Sequence, residues 1–92
     1  MSREEYFEVD TLKPGMMFLE RSYFGKLTES CLYLVLRLDA VVEQTWDPEV
    51  SDFFDTHYVD VTYLVNDKVD TIRYFSGASA WGRDELVRLN RG

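Results

Sequence analysis

The residues best suited to chemistry are concentrated between positions 43 and 57, in the segment EQTWDPEVSDFFDTH. It holds five carboxylates, three aromatic rings and the only histidine of the chain, and it contains no lysine or arginine. Four of its oxygen-bearing side chains mimic the spacing of an EF-hand calcium loop: Asp47, Glu49, Ser51 and Asp55. That loop requires a glycine where Asp52 stands and a closing glutamate where Tyr58 stands, so an EF-hand is excluded.

Other catalytic or metal-binding chemistry lacks the residues it would need. His57 has only the nearby carboxylates Asp55 and Asp60, whereas a zinc site uses three or four ligands fixed in one geometry. Asp52 and Asp55 could exchange protons only in a pocket that shifts their pKa, and a polar segment supplies none. We therefore predict no metal site, no cofactor and no catalytic residue in this segment.

Two further motifs also favour structural roles. In the stretch GASAWG, residues 77–82, Ser79 sits as in a nucleophile elbow, but Trp81 replaces the second glycine that this motif requires. Cys31 is the only cysteine and lies in an apolar run, as is typical of a structural thiol. The protein is therefore predicted not to be an enzyme.

The charge distribution indicates the kind of partner. The net charge is −7, and residues 43–57 contribute −5 of it, which leaves only −2 for the rest of the chain. An acidic surface attracts basic protein surfaces and repels phosphate backbones. We therefore expect a protein partner with a basic surface and disfavour nucleic acid.

Exposed aromatic side chains within this acidic segment predict a recognition site. Tryptophan is a frequent hot-spot residue at protein interfaces, and surrounding carboxylates accelerate encounter with a basic partner. The predicted partner-binding residues are Trp46, Asp47, Glu49, Asp52, Phe53, Phe54 and Asp55. In the alternative interpretation, Phe53 and Phe54 fold back as a lid on the core and Trp46 lies at the rim.

The parts of the chain that position this segment are predicted to be strands and turns. The turn at residues 13–15 leads into a strand at 16–19. Alternation in CLYLVLRLDAVV, residues 31–42, predicts a strand with its leucines inward: Leu32, Leu34, Leu36 and Leu38. A third strand at 58–65 directs Val59, Val61, Tyr63 and Val65 to one side.

The C-terminal half continues the β pattern. A tight turn at residues 66–68 joins the third strand to a fourth at 69–75, with Ile72 and Tyr74 inward. Residues 76–82 form a loop. Residues 86–90 form a short closing strand, or alternatively Asp84 caps a single helical turn there.

Five short strands, a long second connection and a tight hairpin resemble an SH3-like small β-barrel. This resemblance implies an all-β domain with an N-terminal extension at 1–11, a barrel at 12–90 and an acidic aromatic loop at 43–57. Residues 21–30 would form the first long loop of that barrel. The LKPGMMF segment followed by a YLVL strand also resembles short uncharacterised bacteriophage proteins, a resemblance that implies no activity.

Three classes of function follow from these features. The first is a non-enzymatic protein-interaction domain, such as a phage-type accessory or host-directed factor. The second is a virion or assembly component that forms homo-oligomers through a strand edge, and the third is a small barrel whose strand aromatics bind nucleic acid. The longest uncharged apolar run, CLYLVL, is too short to span a membrane, and the N-terminus lacks a signal pattern, so we expect a cytoplasmic protein without membrane contact.

Overall fold

The computed structural model describes residues 5–20 and 31–88 of the chain. Within these residues it contains seven β-strands: β1 Tyr6–Glu8, β2 Met17–Glu20, β3 Cys31–Asp47, β4 Asp52–Val65, β5 Lys68–Phe75, β6 Ser79–Gly82 and β7 Leu86–Val87. In the same part of the chain, single-turn 3-10 helices occupy Val9–Thr11 and Arg83–Glu85. The all-β class predicted from sequence is confirmed, as is a small single domain.

The strands form two antiparallel sheets. The larger sheet has the order β5-β4-β3-β2-β7, and the smaller one pairs β1 with β6. No ladder joins β5 to β7 among the described strands, so the predicted five-stranded SH3-like barrel is not closed. The segment at 76–82, predicted as a loop, supplies β6, which pairs with β1 and covers one face of the larger sheet. The predicted loop at 21–30 and the last residues of the predicted closing strand lie outside the described part of the chain.

The core lies between the two sheets and is mainly aromatic and β-branched. Phe18 of β2 and Trp81 of β6 stack with ring centroids 4.9 Å apart, which joins the larger sheet to the smaller one. Val9, Val61 and Tyr63 are fully buried beside them. On β4 and β5 the predicted inward residues do face this core, since Val59, Val61 and Tyr63 are buried and Val65, Ile72 and Tyr74 pack against it.

The inward face predicted for β3 is wrong before the β-bulge, at Leu32 and Leu36, and correct after it, at Leu38. Val35 is only 1% exposed and Tyr33 packs against the core, whereas Leu36 is 39% exposed and Leu32 is also exposed. Both faces of this strand are apolar, so alternation alone does not determine which one is buried; Trp81 and the β1–β6 sheet cover the Tyr33 side. A β-bulge between Val35 and Arg37 then shifts the register and returns Leu38 to the core side.

The tight turn between β4 and β5 follows the prediction. Asn66 and Asp67 are its two loop residues, and both have positive φ, 48° and 64°. A two-residue hairpin loop of this kind matches the right-handed twist of the strands, and its second position favours glycine.

We expect Asp67→Gly to stabilise the protein modestly and Asp67→Val to destabilise it by roughly 1 kcal/mol or more, because a β-branched residue is strained at positive φ. Thermal unfolding followed by circular dichroism measures both changes. Equal melting temperatures for the two variants would contradict the left-handed geometry of this position.

The acidic segment at 43–57 is not the long loop expected from sequence. Glu43 to Asp47 continue β3, Asp52 to His57 begin β4, and only four residues form the turn between them. Threonine and aromatic residues favour extended backbone, and in this segment they outweigh the high content of acidic residues. The segment is therefore the outer half of a long β-hairpin.

Candidate functional site: an acidic hairpin arm

The outer part of the β3–β4 hairpin, residues 42–57, is a two-stranded ribbon that we call the hairpin arm. Pairing with β5 ends at Tyr58, and pairing with β2 ends at Leu34, so no other described strand flanks the arm. Its six cross-strand pairs run from Val42↔His57 to Asp47↔Asp52. At ~3.3 Å per residue the arm extends about 20 Å beyond the larger sheet, in keeping with overall dimensions of 57 × 30 × 25 Å.

Register assigns the side chains of the arm to two faces. Residues directly opposite each other in antiparallel strands share a face, and successive residues alternate between faces. The face continuous with the core side of the sheet, here called the core-side face, carries three pairs: Val42/His57, Gln44/Asp55 and Trp46/Phe53. The outer face carries the other three: Glu43/Thr56, Thr45/Phe54 and Asp47/Asp52.

Trp46 and Phe53 form the aromatic end of the core-side face. Their ring centroids are 5.1 Å apart in an edge-to-face arrangement, and their residues are 51% and 58% exposed. Cross-strand aromatic pairs stabilise a hairpin by roughly 0.5–1 kcal/mol, which helps a ribbon that would otherwise be only marginally stable in water. The pair therefore holds the arm together and leaves a large apolar surface exposed to solvent.

The carboxylates at the tip are held by local hydrogen bonds. Asp47 Oδ1 accepts from the backbone N–H of Glu49 at 2.9 Å, and Asp52 Oδ1 accepts from the N–H of Phe53 at 2.7 Å. The first of these is an Asx-type contact that favours a turn directly after the strand. Asp47 and Asp52 face each other across the ribbon, an arrangement of like charges that disfavours the free arm.

Arg73 attaches the base of the arm to the sheet on its outer face. Its guanidinium donates to both oxygens of Asp60, at 2.8 and 3.1 Å, lies 3.5 Å from a carboxylate oxygen of Glu43, and sits 5.1 Å from the ring centre of Tyr58. The hydrogen bond from Arg73 lowers the pKa of Asp60, and the same bond raises the pKa of Arg73. One cation thus links three strands and offsets negative charge at the base, which leaves the tip as the most acidic part of the arm.

The structure brings the sequence-predicted residues to one end of the molecule but divides them between faces. Trp46, Phe53 and Asp55 share the core-side face, Asp47, Asp52 and Phe54 lie on the outer face, and Glu49 lies in the turn. The lid alternative does not apply, because Phe53 and Phe54 are 58% and 47% exposed.

Sequence reasoning missed two contributors to the arm. Val42 is exposed on the same face as Trp46 and extends its apolar surface toward the sheet. Arg73 contacts Glu43 from a strand that is thirty residues further along the chain. Correct pairing of β3 with β4 would have revealed Val42, whereas no local signal indicates the contact of Arg73.

In residues 5–20 and 31–88, no group of three or more histidine, cysteine, aspartate or glutamate side chains is arranged to hold a metal ion. The same residues contain no helix with the length and apolar character needed to cross a membrane. Comparisons with protein-family models, curated proteins and solved structures found no match to this chain.

Proposed function

We propose that the protein is a non-enzymatic interaction domain whose hairpin arm binds a protein partner with a basic surface. The observation that carries this proposal is the exposed Trp46–Phe53 pair at the acidic tip of a projecting ribbon. A contiguous exposed aromatic surface is typical of an interface, and tryptophan is among the residues most enriched at hot spots.

The chemistry of the tip favours lysine- and arginine-rich surfaces. Trp46 and Phe53 offer ring faces and edges to the stems and charged heads of basic side chains, and Asp55 lies on the same face two residues from Phe53. Asp47, Glu49 and Asp52 lie around this contact, where charges steer encounter more than they add affinity. Burial of Trp46 against a partner would also relieve the exposure of the apolar surface.

The biological setting is part of the same proposal. We propose a phage-type accessory or host-directed factor as this setting, in line with the resemblance of the LKPGMMF and YLVL segments to short bacteriophage proteins, a resemblance that by itself implies no activity. In that role the protein would act in the cytoplasm by occupying a basic surface of its partner.

Photocrosslinking from the arm tests this proposal. Phe53 is replaced by p-benzoylphenylalanine, the protein is irradiated in a cell lysate, and adducts are identified by mass spectrometry. The matched control carries the same group in place of Phe75, which is 64% exposed but lies outside the arm. We expect a discrete protein adduct with a basic surface from position 53 only, and its yield should fall when Trp46→Ala is added.

Three outcomes would overturn the proposal. They are equal adducts from positions 53 and 75, an adduct whose yield does not depend on Trp46, and crosslinking to nucleic acid in place of protein.

Neutralising the tip charges should act on the rate of association. For the triple variant Asp47→Asn, Glu49→Gln and Asp52→Asn, we expect an association rate constant roughly tenfold lower at low salt, with a weaker salt dependence and a nearly unchanged dissociation rate. Surface plasmon resonance with the crosslinked partner, purified and immobilised, measures these rates. The control neutralises two carboxylates elsewhere, with Asp67→Asn and Asp70→Asn at the far end of the β4–β5 hairpin, and should leave the kinetics unchanged. A similar loss in both variants would indicate an effect of net charge and not of the tip.

A second candidate function is a virion or assembly component that forms homo-oligomers. The observation that favours it is the edge of β3 from 37 to 47, which no described strand covers and which offers backbone groups for strand addition. The carboxylates along the arm oppose pairing with a second acidic copy. Light scattering at increasing protein concentration separates the two functions, because a stable oligomer without any partner would favour assembly.

A further inference from the structure

A second concave site lies between the two sheets, at the opposite end of β3 from the arm. Its cavity has a volume of about 230 Å³, and aromatic rings from three different strands line it: Tyr33, Tyr74 and Trp81. Ile72 and Ala80 complete its apolar wall. Tyr33 is thirteen positions from Trp46 along the same strand, or about 40 Å, so this cavity is separate from the arm.

Two carboxylates border the aromatic cavity. Glu20, at the end of β2, accepts a 2.8 Å hydrogen bond from the hydroxyl of Tyr33. Glu85, in the second 3-10 turn, accepts a 2.8 Å bond from the backbone N–H of Gly82. These bonds fix each carboxylate next to the rings. The bond from Tyr33 also makes its ring more electron-rich, because the phenol donates to a carboxylate.

The rings are held in place before any ligand arrives. The indole N–H of Trp81 donates to the hydroxyl of Tyr63 at 3.0 Å, and that hydroxyl is 3.0 Å from the hydroxyl of Tyr74. The hydrogen bond to Glu20 raises the pKa of Tyr33 to about 12. Burial, followed by the contact with Tyr63, raises the pKa of Tyr74 further above its ordinary value. Both phenols therefore keep their protons, and their hydrogen bonds, well above pH 7.

Elsewhere the protein places its own cations over aromatic rings. Arg73 lies 5.1 Å from the ring centre of Tyr58, and Arg83 lies 4.5 Å from that of Phe7. A larger open cavity, of about 480 Å³, includes Arg83 itself among its lining residues. The described residues that line the aromatic cavity include neither lysine nor arginine.

From this arrangement we propose that the aromatic cavity binds an organic cation of the alkylammonium type. Aromatic rings attract a cation, and the two carboxylates add charge attraction at the rim. Methyl or methylene groups on the nitrogen would contact Ile72 and Ala80, so quaternary and methylated ammonium groups fit better than a bare ammonium ion. The cation could be a free quaternary amine or a methylated lysine side chain.

Nuclear magnetic resonance tests this proposal because the chain contains only two tryptophans, Trp46 and Trp81. The 15N-labelled protein is titrated with choline, with its uncharged carbon analogue 3,3-dimethyl-1-butanol, and with the peptide acetyl-Gly-trimethyllysine-Gly-amide. We expect saturable shifts of the Trp81 indole signal with the two cations and at least tenfold weaker binding of the neutral analogue. Tighter binding of the peptide than of choline would identify a methylated lysine side chain as the natural source of the cation. Tighter binding of choline would identify a free quaternary amine.

Variants of the rim separate specific binding from general charge effects. Glu20→Gln with Glu85→Gln should weaken choline binding by roughly tenfold while the spectrum stays that of a folded protein. Glu49→Gln with Asp52→Asn, which removes the same charge at the arm tip, should leave binding unchanged. Equal affinity for choline and its neutral analogue, or equal loss in both double variants, would overturn the proposal. Neither result would test partner binding by the arm, because the indole signal of Trp46 reports on the arm separately.

Discussion

Val35→Asp is expected to abolish folding, whereas Leu36→Asp, one residue further along β3, should leave a folded protein. Val35 is 1% exposed within the core, and Leu36 is 39% exposed beside the β-bulge. Burying an unpaired carboxylate costs several kcal/mol, comparable with the ~5–14 kcal/mol that stabilises a domain of this size. At the exposed position the cost is limited to lost strand propensity and partial burial, about 1 kcal/mol.

Far-UV circular dichroism with thermal melting measures both variants. We expect Leu36→Asp to retain a β-type spectrum with a melting temperature a few degrees lower and Val35→Asp to show no cooperative transition. Val35→Ala is a control for packing loss without charge, and it should remain folded but be less stable. Unfolding of Leu36→Asp with retention of fold in Val35→Asp would mean that the leucines face the core after all.

The comparison of β3 with β4 shows how far local patterns determine this fold. On β4, Asp60 and Thr62 alternate with large apolar residues, and this contrast correctly predicted the burial of Val59, Val61 and Tyr63, although Thr62 on the opposite face is also buried. On β3, alternating leucines and Tyr33 or Val35 give two apolar faces, and the choice between them depends on Trp81, which is distant in sequence. The bulge after Val35 then reverses the alternation, which a strict period of two cannot represent.

The acidic segment was misread for a different physical reason. The resemblance to an SH3-like barrel implied a long loop here, but the turn is confined to 48–51, where Pro48 and the positive φ of Ser51 lie. On either side, pairing such as Thr45↔Phe54 and Trp46↔Phe53 extends the strands, and this pairing depends on register set further along the hairpin. The sequence thus placed the candidate residues within one segment, whereas their pairing in a hairpin and their division between two faces required the structure.

Trp46→Ala should weaken binding of the basic partner by about 30-fold or more, equivalent to ~2 kcal/mol, the scale of an interface hot spot. Phe53→Ala should also weaken binding, because Phe53 packs edge-to-face against Trp46 and shares its face. The melting temperature should change little, since the arm lies outside the core. Isothermal titration calorimetry with the partner identified by crosslinking measures the affinities.

Phe54→Ala is the matched control for this effect. Phe54 lies in β4 next to Phe53, and its exposed fraction is similar to that of Trp46. Unlike those two residues, it belongs to the outer face of the arm. We expect it to reduce affinity by less than about threefold. An effect of Phe54→Ala as large as that of Trp46→Ala would mean that the partner encloses both faces, and a loss confined to Phe54→Ala would move the site to the outer face.

The most direct test of the central claim is the response of the two tryptophan indole signals when the 15N-labelled protein is titrated with its basic partner. Trp46 is exposed at the arm tip, and Trp81 is buried and bonded to Tyr63. If the core-side face of the arm is the recognition surface, the Trp46 signal and the amide signals of Val42 and Phe53 will shift or broaden at stoichiometric partner, while the Trp81 signal stays in place. A partner that perturbs Trp81 or the strands of the larger sheet and leaves Trp46 unchanged would contradict recognition through the arm.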